Sequence, residues 1–292
     1  MPDSSTATTP GATDAQSATA PDPARATTVT LAVRDELGSD YLRLTFRADR
    51  PIGGRAGHFG MIRSDAWGHA PLLARPMSLL SAGDRPSMLI KVVGEGTRRM
   101  AAAPLGERFS LLAPLGTPWR HPERAQQAIV VAGGVGLPPV LLLAQEIAAA
   151  RKQAAADPPQ TVGLYGGRTA ADLPLADELG SVADLRIATE DGSRGARGRV
   201  TVLLEDAIAD VRRRGAEPAI YACGPQAMLR AVAQIAAQAD VPCQVSLEAL
   251  MGCGYGVCLG CPTARAGGGY LYTCTEGPCV DAAAVDWEEV GS

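Results

Sequence analysis

The stretch QAIVVAGGVGLPPVLLLAQEIAAARK, residues 127–152, decides the fold class of this chain. It opens with an uninterrupted apolar run typical of a buried strand, passes through a glycine-rich turn, and continues with the length and composition of a helix. A strand that turns through glycine into a helix is the first unit of a parallel sheet with crossover helices. We therefore predict an α/β parallel-sheet domain of the Rossmann-like type.

The same alternation continues downstream of this stretch. Apolar runs with strand character are followed by glycine-containing loops, and two of them by helical segments, so one shared parallel sheet is expected. The predicted elements are the strands QTVGLYGG, ADLRIATED, PAIYACG and CQVSLEA and the helices VTVLLEDAIADVRRR and QAMLRAVAQIAAQA. We assign residues 123–245 to this domain.

Upstream of the stretch, residues 27–122 have a different rhythm. Six short β-prone segments are separated by glycine- and proline-containing turns, and one of them, YLRLTFRA, alternates apolar and polar residues as a half-buried antiparallel strand does. We predict a small antiparallel β-barrel built from TVTLAVRDEL, YLRLTFRA, HFGMIR, MSLLSA, MLIKVVGEG and RFSLLAPLG. Residues 1–26 contain no large apolar side chain besides Met1, so we predict that they form a disordered tail.

The glycine turn of the α/β domain has the composition of a dinucleotide-binding turn. Gly134, Gly136 and Pro139 give the pattern G-x-G-x-x-P, and Gly133 precedes it. Glycine lets the backbone approach a pyrophosphate closely, and the helix N-terminus offers free N–H groups to it. A plain tight turn is the alternative. The loops LYGGR, ATEDGSRG and YACGPQAM should open on the same carboxyl edge of the sheet, which favours the dinucleotide.

Two segments of the predicted barrel have phosphate-binding character. Arg75, in LLARPMSL, is a forked donor suited to a phosphate, and Ser78 can place a hydroxyl beside a flavin ring. Gly96 and Thr97, in GEGT, offer backbone and hydroxyl donors in a turn. The alternative is that Arg75 makes a surface ion pair and that GEGT is only a hairpin turn.

The C-terminal segment, residues 246–292, is too short for a core of its own and is predicted to need a metal centre. Cys253, Cys258 and Cys261 have the spacing C-x4-C-x2-C, and Cys274 follows after twelve residues. This is the spacing of plant-type [2Fe-2S] sites. A structural zinc site is the main alternative, although zinc sites with four cysteines usually have two short paired motifs. Cys279 is an alternative fourth ligand.

Composition and charge exclude several classes of function. A net charge of -4 and a pI near 5.5 give no basic surface for nucleic acid or an anionic membrane. Apolar runs stay short of the ~18 residues that a membrane span requires, and the N-terminus lacks the pattern of a secretory signal. We expect a cytoplasmic protein, in which seven cysteines indicate metal or redox chemistry rather than disulfides.

Taken together, these motifs resemble the ferredoxin reductase-like flavoproteins, and within them the electron transfer subunits of type B dihydroorotate dehydrogenase. RPMS is similar to the Arg-Pro-x-Ser flavin motif of that family, GEGT to its G-x-G-T turn, AGGVGLPP to its nicotinamide motif and ACGP to its Cys-Gly-Pro loop. LMGCGYGVCLGC matches the terminal cluster motif. The resemblance extends from about residue 28 to the C-terminus.

The resemblance implies three cofactors, FAD, a [2Fe-2S] cluster and NAD, and a role for each matching residue. Arg75 would bind FAD phosphate, Pro76, Met77 and Ser78 would lie along the isoalloxazine, Leu89, Ile90 and Lys91 would flank it through their backbone, and Gly96 and Thr97 would contact the pyrophosphate. Gly133, Gly134, Gly136 and Pro139 would bind NAD together with Cys223, Gly224 and Pro225, and Cys223 would lie near the nicotinamide. The acidic pair Glu190 and Asp191 favours NAD over NADP, although Arg168 and Arg194 are near enough in sequence to reverse that preference.

The resemblance also implies a function in pyrimidine biosynthesis. An FMN-containing catalytic subunit would oxidise dihydroorotate in a heterotetramer, and electrons would pass through [2Fe-2S] and FAD to NAD+. No side chain of this chain would then act as a general acid or base, because the cofactors supply the chemistry. One alternative is a reductase subunit that serves ferredoxin or another dehydrogenase. A non-enzymatic alternative is a zinc-containing nucleotide-binding scaffold.

Overall fold

The computed structural model describes residues 23–122, 126–153 and 161–290. Most of the predicted tail therefore lies outside the described residues. The first strand, β1 (Arg25–Glu36), includes the last two residues of the predicted tail. Arg25 and Ala26 pair with Ala113 and Leu112, so the antiparallel ladder extends beyond the apolar run that marks the strand in the sequence.

The N-terminal domain is the predicted antiparallel barrel. Its six-stranded sheet has the order β4-β3-β6-β1-β2-β5, and all five neighbouring pairs are antiparallel. The edge strands approach each other where Leu80 N donates to Ser87 O at 2.9 Å, which brings the barrel near closure. After β1, the strands are β2 (Tyr41–Ala48), β3 (Phe59–Ser64), β4 (Arg75–Ser78), β5 (Ser87–Lys91) and β6 (Arg108–Leu115).

The segment GEGT differs from its predicted form. It is not a hairpin turn but the start of a helix, α1 (Glu95–Ala102). The Thr97 hydroxyl oxygen lies 3.0 Å from the backbone nitrogens of Val93 and Gly94 and accepts from these N–H groups at the helix N-terminus. A threonine in this position stabilises the first helical turn, because it satisfies donors that the helix itself leaves unpaired.

The second domain is a parallel sheet with helices on both faces. β8 and β9 lie on one side of β7, and β11 and β12 lie on the other, so the chain changes direction in the sheet at β7. The elements are β7 (Gln126–Gly133), α2 (Leu137–Gln153), β8 (Val162–Gly167), α3 (Ala176–Gly180), β9 (Asp184–Thr189), β10 (Ala196–Arg197), α4 (Leu204–Arg213), β11 (Glu217–Cys223), α5 (Gln226–Gln238) and β12 (Cys243–Ser246). Ligands in such folds bind at the carboxyl ends of the strands beside this reversal point.

The C-terminal segment is joined to the parallel sheet rather than separate from it. β13 (Pro262–Ala264) and β14 (Tyr270–Tyr272) form a hairpin, while β15 (Cys279–Asp281) pairs antiparallel with β12. The predicted boundary between residues 245 and 246 thus falls inside β12, whose last residue pairs with Cys279. The division into domains stays a prediction.

The barrel and the α/β domain share one apolar interface. Tyr41, Leu89 and Trp119 from the N-terminal half are buried in the same cluster as Val140 and Leu141 of α2. Trp119 Nε1 donates to the Pro139 carbonyl at 3.1 Å, so the buried indole is also fixed in orientation. Among the described residues, no helix is long and apolar enough to cross a membrane.

Candidate functional site

The predicted flavin arginine lies in a cradle that only glycine permits. Arg75 begins β4, and its side chain passes over Gly96 in the first turn of α1. A Cβ on Gly96 would lie 2.5 Å from Arg75 Nε and 2.9 Å from its Cδ, so any larger residue would displace the arginine.

The electrostatics of this cradle fit a phosphate of FAD. Arg75 Nε is buried without a hydrogen-bond partner. In the part of the chain that the structure describes, Arg75 makes no ion pair, which argues against the alternative of a surface ion pair. A buried donor without a partner costs free energy unless a ligand completes it, and the N-terminus of α1 adds a second anion-binding element beside it.

The other predicted flavin residues lie on two strands of the barrel. Pro76, Met77 and Ser78 follow Arg75 along β4 and are all half-buried. Leu89 and Ile90 are buried on β5, with Ile90 in the barrel core and Leu89 in the interface with the α/β domain. Gly96 and Thr97 are buried at the start of α1. The Thr97 hydroxyl already accepts hydrogen bonds from the backbone of that turn, so a phosphate here would be bound through backbone N–H groups rather than through this hydroxyl.

The predicted nicotinamide residues are brought together at the reversal point of the sheet. The turn after β7 touches the loop after β11 through glycine on both sides. A Cβ on Gly136 would lie 2.5 Å from Cys223 O and 2.7 Å from Gly224 N, and a Cβ on Gly133 would lie 2.8 Å from Pro225 Cδ. Gly134, with φ +52°, adopts a backbone conformation that favours glycine. The dinucleotide alternative is therefore favoured over a plain tight turn, because two glycine-containing loops converge at one edge.

We expect Gly136→Ala to destabilise the chain, since the added methyl group meets backbone atoms that cannot rotate away. The free energy of unfolding should fall by about 1–3 kcal/mol, the usual cost of overpacking, and NAD affinity should fall with it. The measurements are denaturant unfolding and NAD titration. Gly180→Ala is the matched control, because its Cβ would be 3.5 Å from Leu185 Cδ2, an ordinary contact. Equal stability of the two variants would contradict the close approach of the two loops.

The Cys223 thiol lies at this edge of the sheet. It is buried at the end of β11, and burial raises its pKa to about 12. A thiol with that pKa stays protonated at neutral pH.

The acidic pair lies at the carboxyl end of β9, beside the end of β8. Glu190 and Asp191 are exposed, and Glu190 N donates to Gly167 O at 3.1 Å. The Ser193 hydroxyl and backbone N–H lower the pKa of Asp191, so this carboxylate is charged at neutral pH. Arg194 pairs with Asp177 at 3.1 Å. An arginine engaged by a carboxylate is less available to a 2'-phosphate, which favours NAD.

The four predicted cluster cysteines form two pairs. Cys253 Sγ lies 3.5 Å from the backbone nitrogens of Tyr255 and Cys258. Burial opposes ionisation of this thiol, but these N–H groups outweigh it and lower the pKa of Cys253 to about 6. Cys261 and Cys274 are both buried and lie side by side.

The four thiols supply the donor set of a [2Fe-2S] cluster, which takes two thiolates on each iron, so two cysteine pairs suit it. Structural zinc also accepts four thiolates.

Cys279 belongs to a different environment. Its thiol packs on Gly57 of the barrel and lies beside Ser246, its cross-strand partner in β12. Burial raises the pKa of Cys279 well above its usual range. These contacts favour Cys274 over Cys279 as the fourth ligand.

The cysteine loop packs directly on the barrel, a contact that the sequence does not reveal. A Cβ on Gly254, which has φ +83°, would overlap the Met61 side chain. Cys261 and Cys274 share an apolar cluster with Phe59 and Met61 of β3. In the antiparallel ladder Phe59 pairs with Ser78 and Met61 pairs with Pro76. The thiols are therefore one strand away from the strand that carries the predicted flavin motif.

Three residues important to the site were missed by sequence reasoning: Met61, Tyr41 and Asp172. Met61 receives the cysteine loop, while Tyr41 and Asp172 contact Lys91. None lies in a recognisable motif, and a pairing between distant segments leaves no local signal. A glycine within the cysteine loop, Gly254, is the one local sign of a close approach, because a larger residue there would overlap Met61.

A cavity of about 810 Å³ opens beside both the nicotinamide loop and the cysteine segment. Its lining includes Gly224 and Gln226 from the α/β domain and Cys261 and Pro262 from the C-terminal segment. The carboxyl edge of β11 thus faces open space next to Cys261, a predicted cluster ligand.

Two family models match the chain. The oxidoreductase NAD-binding domain matches residues 130–234, and the iron-sulfur cluster binding domain of dihydroorotate dehydrogenase B matches residues 248–286. The matched ranges contain the glycine turn and all four predicted cluster cysteines. These matches support the predicted NAD and [2Fe-2S] cofactors over the zinc-containing scaffold.

Curated relatives match most of the chain. A probable dihydroorotate dehydrogenase B (NAD+) electron transfer subunit of Methanopyrus kandleri is 34% identical over 80% of this chain and 82% of its own length. The electron transfer subunit of dihydroorotate dehydrogenase B (NAD+) of Desulforamulus reducens is 35% identical over 75% of this chain and 82% of its own.

Solved structures show the same fold. An NADH-dependent reduced ferredoxin–NADP oxidoreductase, studied for flavin-based electron bifurcation, superposes with a TM-score of 0.74 at 24% identity over 90% of this chain and 91% of that one. A ferredoxin reductase of carbazole 1,9a-dioxygenase superposes with a TM-score of 0.64 at 20% identity over 76% and 68%. The barrel and the parallel sheet therefore form a ferredoxin reductase-like fold, and with the identity to the curated relatives the chain belongs to the family of dihydroorotate dehydrogenase B (NAD+) electron transfer subunits.

Proposed function

We propose that this chain transfers electrons between a separate, FMN-containing subunit that oxidises dihydroorotate and NAD+, within a heterotetramer. A nicotinamide exchanges hydride, an iron-sulfur cluster exchanges single electrons, and FAD exchanges both. The observation that carries the proposal is the packing of the Cys261–Cys274 pair on β3, the strand that pairs with the predicted flavin strand. If the predicted site residues are right, this contact brings a one-electron site next to a flavin site, which supports the proposal.

The chain's own residues have binding and insulating roles in this proposal. Arg75 and the first turn of α1 would hold FAD, and the loops that meet at Gly136 and Gly224 would hold NAD. Cys253, Cys258, Cys261 and Cys274 would bind the cluster. Phe59, Met61 and Leu115, all buried, keep water away from the space between the cysteine pair and the barrel.

An exposed apolar surface supports the docking of a partner over the cysteine loop. We define the cysteine-loop patch as Leu250, Tyr255, Val257 and Leu259, all of which are exposed. Val257, between two predicted cluster ligands, has 74% of its surface accessible, and Leu250 has 91%. Exposed apolar residues clustered in one loop often mark interaction sites, and docking here would bring a second redox centre close to the cysteines.

We propose a cytoplasmic location. Seven cysteines are free in the structure, and several are buried where oxidation would disrupt packing. Reducing compartments keep such thiols intact.

The test of the function is reconstitution. We expect dihydroorotate-dependent NAD+ reduction only when this chain is mixed with the FMN-containing subunit, and the mixture should elute as a heterotetramer. A chain that reduces ferredoxin from NADH and never couples to dihydroorotate oxidation would contradict the proposal in favour of another partner.

Substitution in the cysteine-loop patch should weaken assembly. We expect Val257→Asp to raise the dissociation constant for the catalytic subunit by about tenfold or more, because it places a charge at an apolar contact, while flavin and iron content stay unchanged. Leu105→Asp is the matched control, since Leu105 is 62% exposed and precedes β6 at the end away from the cysteines. Equal affinity of both variants, measured by calorimetry, would place the partner elsewhere.

A further inference from the structure

Lys91 links the predicted flavin strand to the α/β domain. It is the last residue of β5, and its Nζ lies 3.1 Å from Oδ1 of Asp172, in the turn that follows β8. Both side chains are largely enclosed, with 25% and 11% of their surfaces exposed. An ion pair in such an environment is screened less by solvent and salt than a surface pair.

Asp172 is held from both of its oxygens. Oδ1 accepts from Lys91, while Oδ2 accepts from the Thr169 hydroxyl at 3.2 Å and lies 3.9 Å from Arg168 Nε. Burial opposes its ionisation, but the Lys91 hydrogen bond and charge outweigh this and lower the pKa of Asp172. The carboxylate is thus a fixed anchor in the α/β domain.

The other contact of Lys91 leads to the nicotinamide turn. Lys91 Nζ donates to the Tyr41 hydroxyl at 3.1 Å and lies 4.6 Å from the centre of its ring. Tyr41 is 2% exposed, and its hydroxyl would be 3.3 Å from a Cβ on Gly134. From the other side, the Tyr165 hydroxyl donates to Gly134 O at 3.0 Å. Gly134 is therefore held between a tyrosine of the barrel and a tyrosine of the α/β domain.

We propose that Lys91, Asp172 and Tyr41 form a positioning network that fixes the nicotinamide turn against the flavin strand. This proposal rests on the proposed function, because it assumes that the glycine turn after β7 binds NAD and that β5 flanks FAD. The Tyr41 hydroxyl approaches the turn at Gly134, whereas the Gly136–Gly224 contact is made with backbone atoms of the loop after β11. Loss of the network should therefore alter the distance between the two sites and slow hydride transfer while leaving NAD affinity nearly unchanged.

A second ion pair across the same interface provides a control. Arg43 of β2 pairs with Glu178 of α3 at 2.7 Å, and also with Asp35 at 2.9 Å within the barrel. Glu178 is 42% exposed, and neither Arg43 nor Glu178 approaches Gly134. Glu178→Gln removes a charge from the interface without changing the shape of the side chain and without touching the network.

The experiment uses the full chain loaded with FAD and cluster, without the partner subunit. The variants are Lys91→Met, the nearly isosteric Asp172→Asn, the double variant, and Glu178→Gln. The limiting rate of flavin reduction by NADH is measured by anaerobic stopped flow and the NAD dissociation constant by titration. Hydrogen exchange of residues 131–137 reports the mobility of the turn independently of activity.

We expect each single network variant to lower the limiting rate about tenfold, since small misplacements of reacting groups have effects of that order or larger. The NAD dissociation constant should change less than about twofold, which separates positioning from binding. The double variant should be no slower than the slower single variant, because the residues act as one unit. Exchange at residues 131–137 should increase in all three, and Glu178→Gln should match the unmodified chain in every measurement.

Three results would overturn the network. They are a limiting rate in Lys91→Met and Asp172→Asn equal to that of Glu178→Gln, a loss of NAD affinity at unchanged rate, and additive effects in the double variant. Failure to couple to dihydroorotate is a separate outcome. The partner is absent from the assay, so that failure would reject the proposed function and leave the network standing.

Discussion

Replacing Cys258 by serine is expected to strip the chain of iron while leaving the barrel and the parallel sheet folded. Cys258 is exposed, so its substitution removes no core packing, and surface substitutions rarely change stability by more than about 0.5 kcal/mol. A serine hydroxyl is a far weaker iron ligand than a thiolate. Iron content should fall from about two per chain, the value for a [2Fe-2S] site, to near zero.

The Cys258→Ser variant separates electron exchange between NAD and FAD from electron transfer through the cluster. NADH should still reduce FAD in Cys258→Ser, because the predicted flavin and nicotinamide residues lie on the barrel and the parallel sheet. Dihydroorotate-dependent NAD+ reduction with the partner should be lost. The measurements are iron analysis, the visible spectrum and the coupled assay. A variant that keeps two irons would contradict the ligand assignment.

Two further cysteine variants test the fourth ligand. Cys274→Ala should lose iron as Cys258→Ser does, whereas Cys279→Ala should keep it, since the Cys279 thiol packs on Gly57 and Ser246. The reverse pattern would assign the fourth ligand to Cys279. A colourless protein with zinc in place of iron would reject the cluster altogether.

The second large effect is expected at Arg75. Arg75→Met should weaken FAD binding by about 10- to 100-fold, which corresponds to the 1.5–3 kcal/mol of a hydrogen bond to a charged group. The unfolding midpoint of the FAD-free chain should not fall, because the Arg75 Nε has no protein partner to lose. If Arg75 served only to stabilise the fold, Arg75→Met would instead lower the unfolding midpoint and leave FAD affinity unchanged.

The glycine beneath the arginine offers an independent variant. Gly96→Ala places a methyl group 2.5 Å from Arg75 Nε and should also weaken FAD binding, since the guanidinium must move. Arg98→Met is the matched control, because Arg98 lies on the same helix, is 61% exposed and, within the described residues, forms its ion pair with Glu95 at 3.4 Å. For each variant, the FAD dissociation constant is measured by fluorescence titration and the unfolding midpoint by circular dichroism. Equal FAD affinity of Arg75→Met and Arg98→Met would exclude the cradle.

Local patterns predicted most of the secondary structure. The apolar run of β7 and the alternation in β2 depend only on neighbouring residues, so their strands were predictable, and YLRLTFRA coincides with β2 from Tyr41 to Ala48. GEGT was misjudged as a turn, because Thr97 acts by capping a helix whose interior, TRRMAA, has no apolar run to reveal it. The extension of β1 to Arg25 was missed because polar residues there are held by the β6 ladder rather than by burial.

The sequence by itself determined the chemistry: the cysteine spacing, the glycine turn and the Arg-Pro-x-Ser motif are local patterns, and they identify cofactors before any fold is known. Only the tertiary structure decided how these sites are joined. The cysteine loop lies on Met61, Lys91 reaches Asp172 and Tyr41, and β15 adds to the sheet of β12, each between segments far apart in the chain. Such contacts depend on shape and mutual burial, which are properties of the folded whole and leave no period in the sequence.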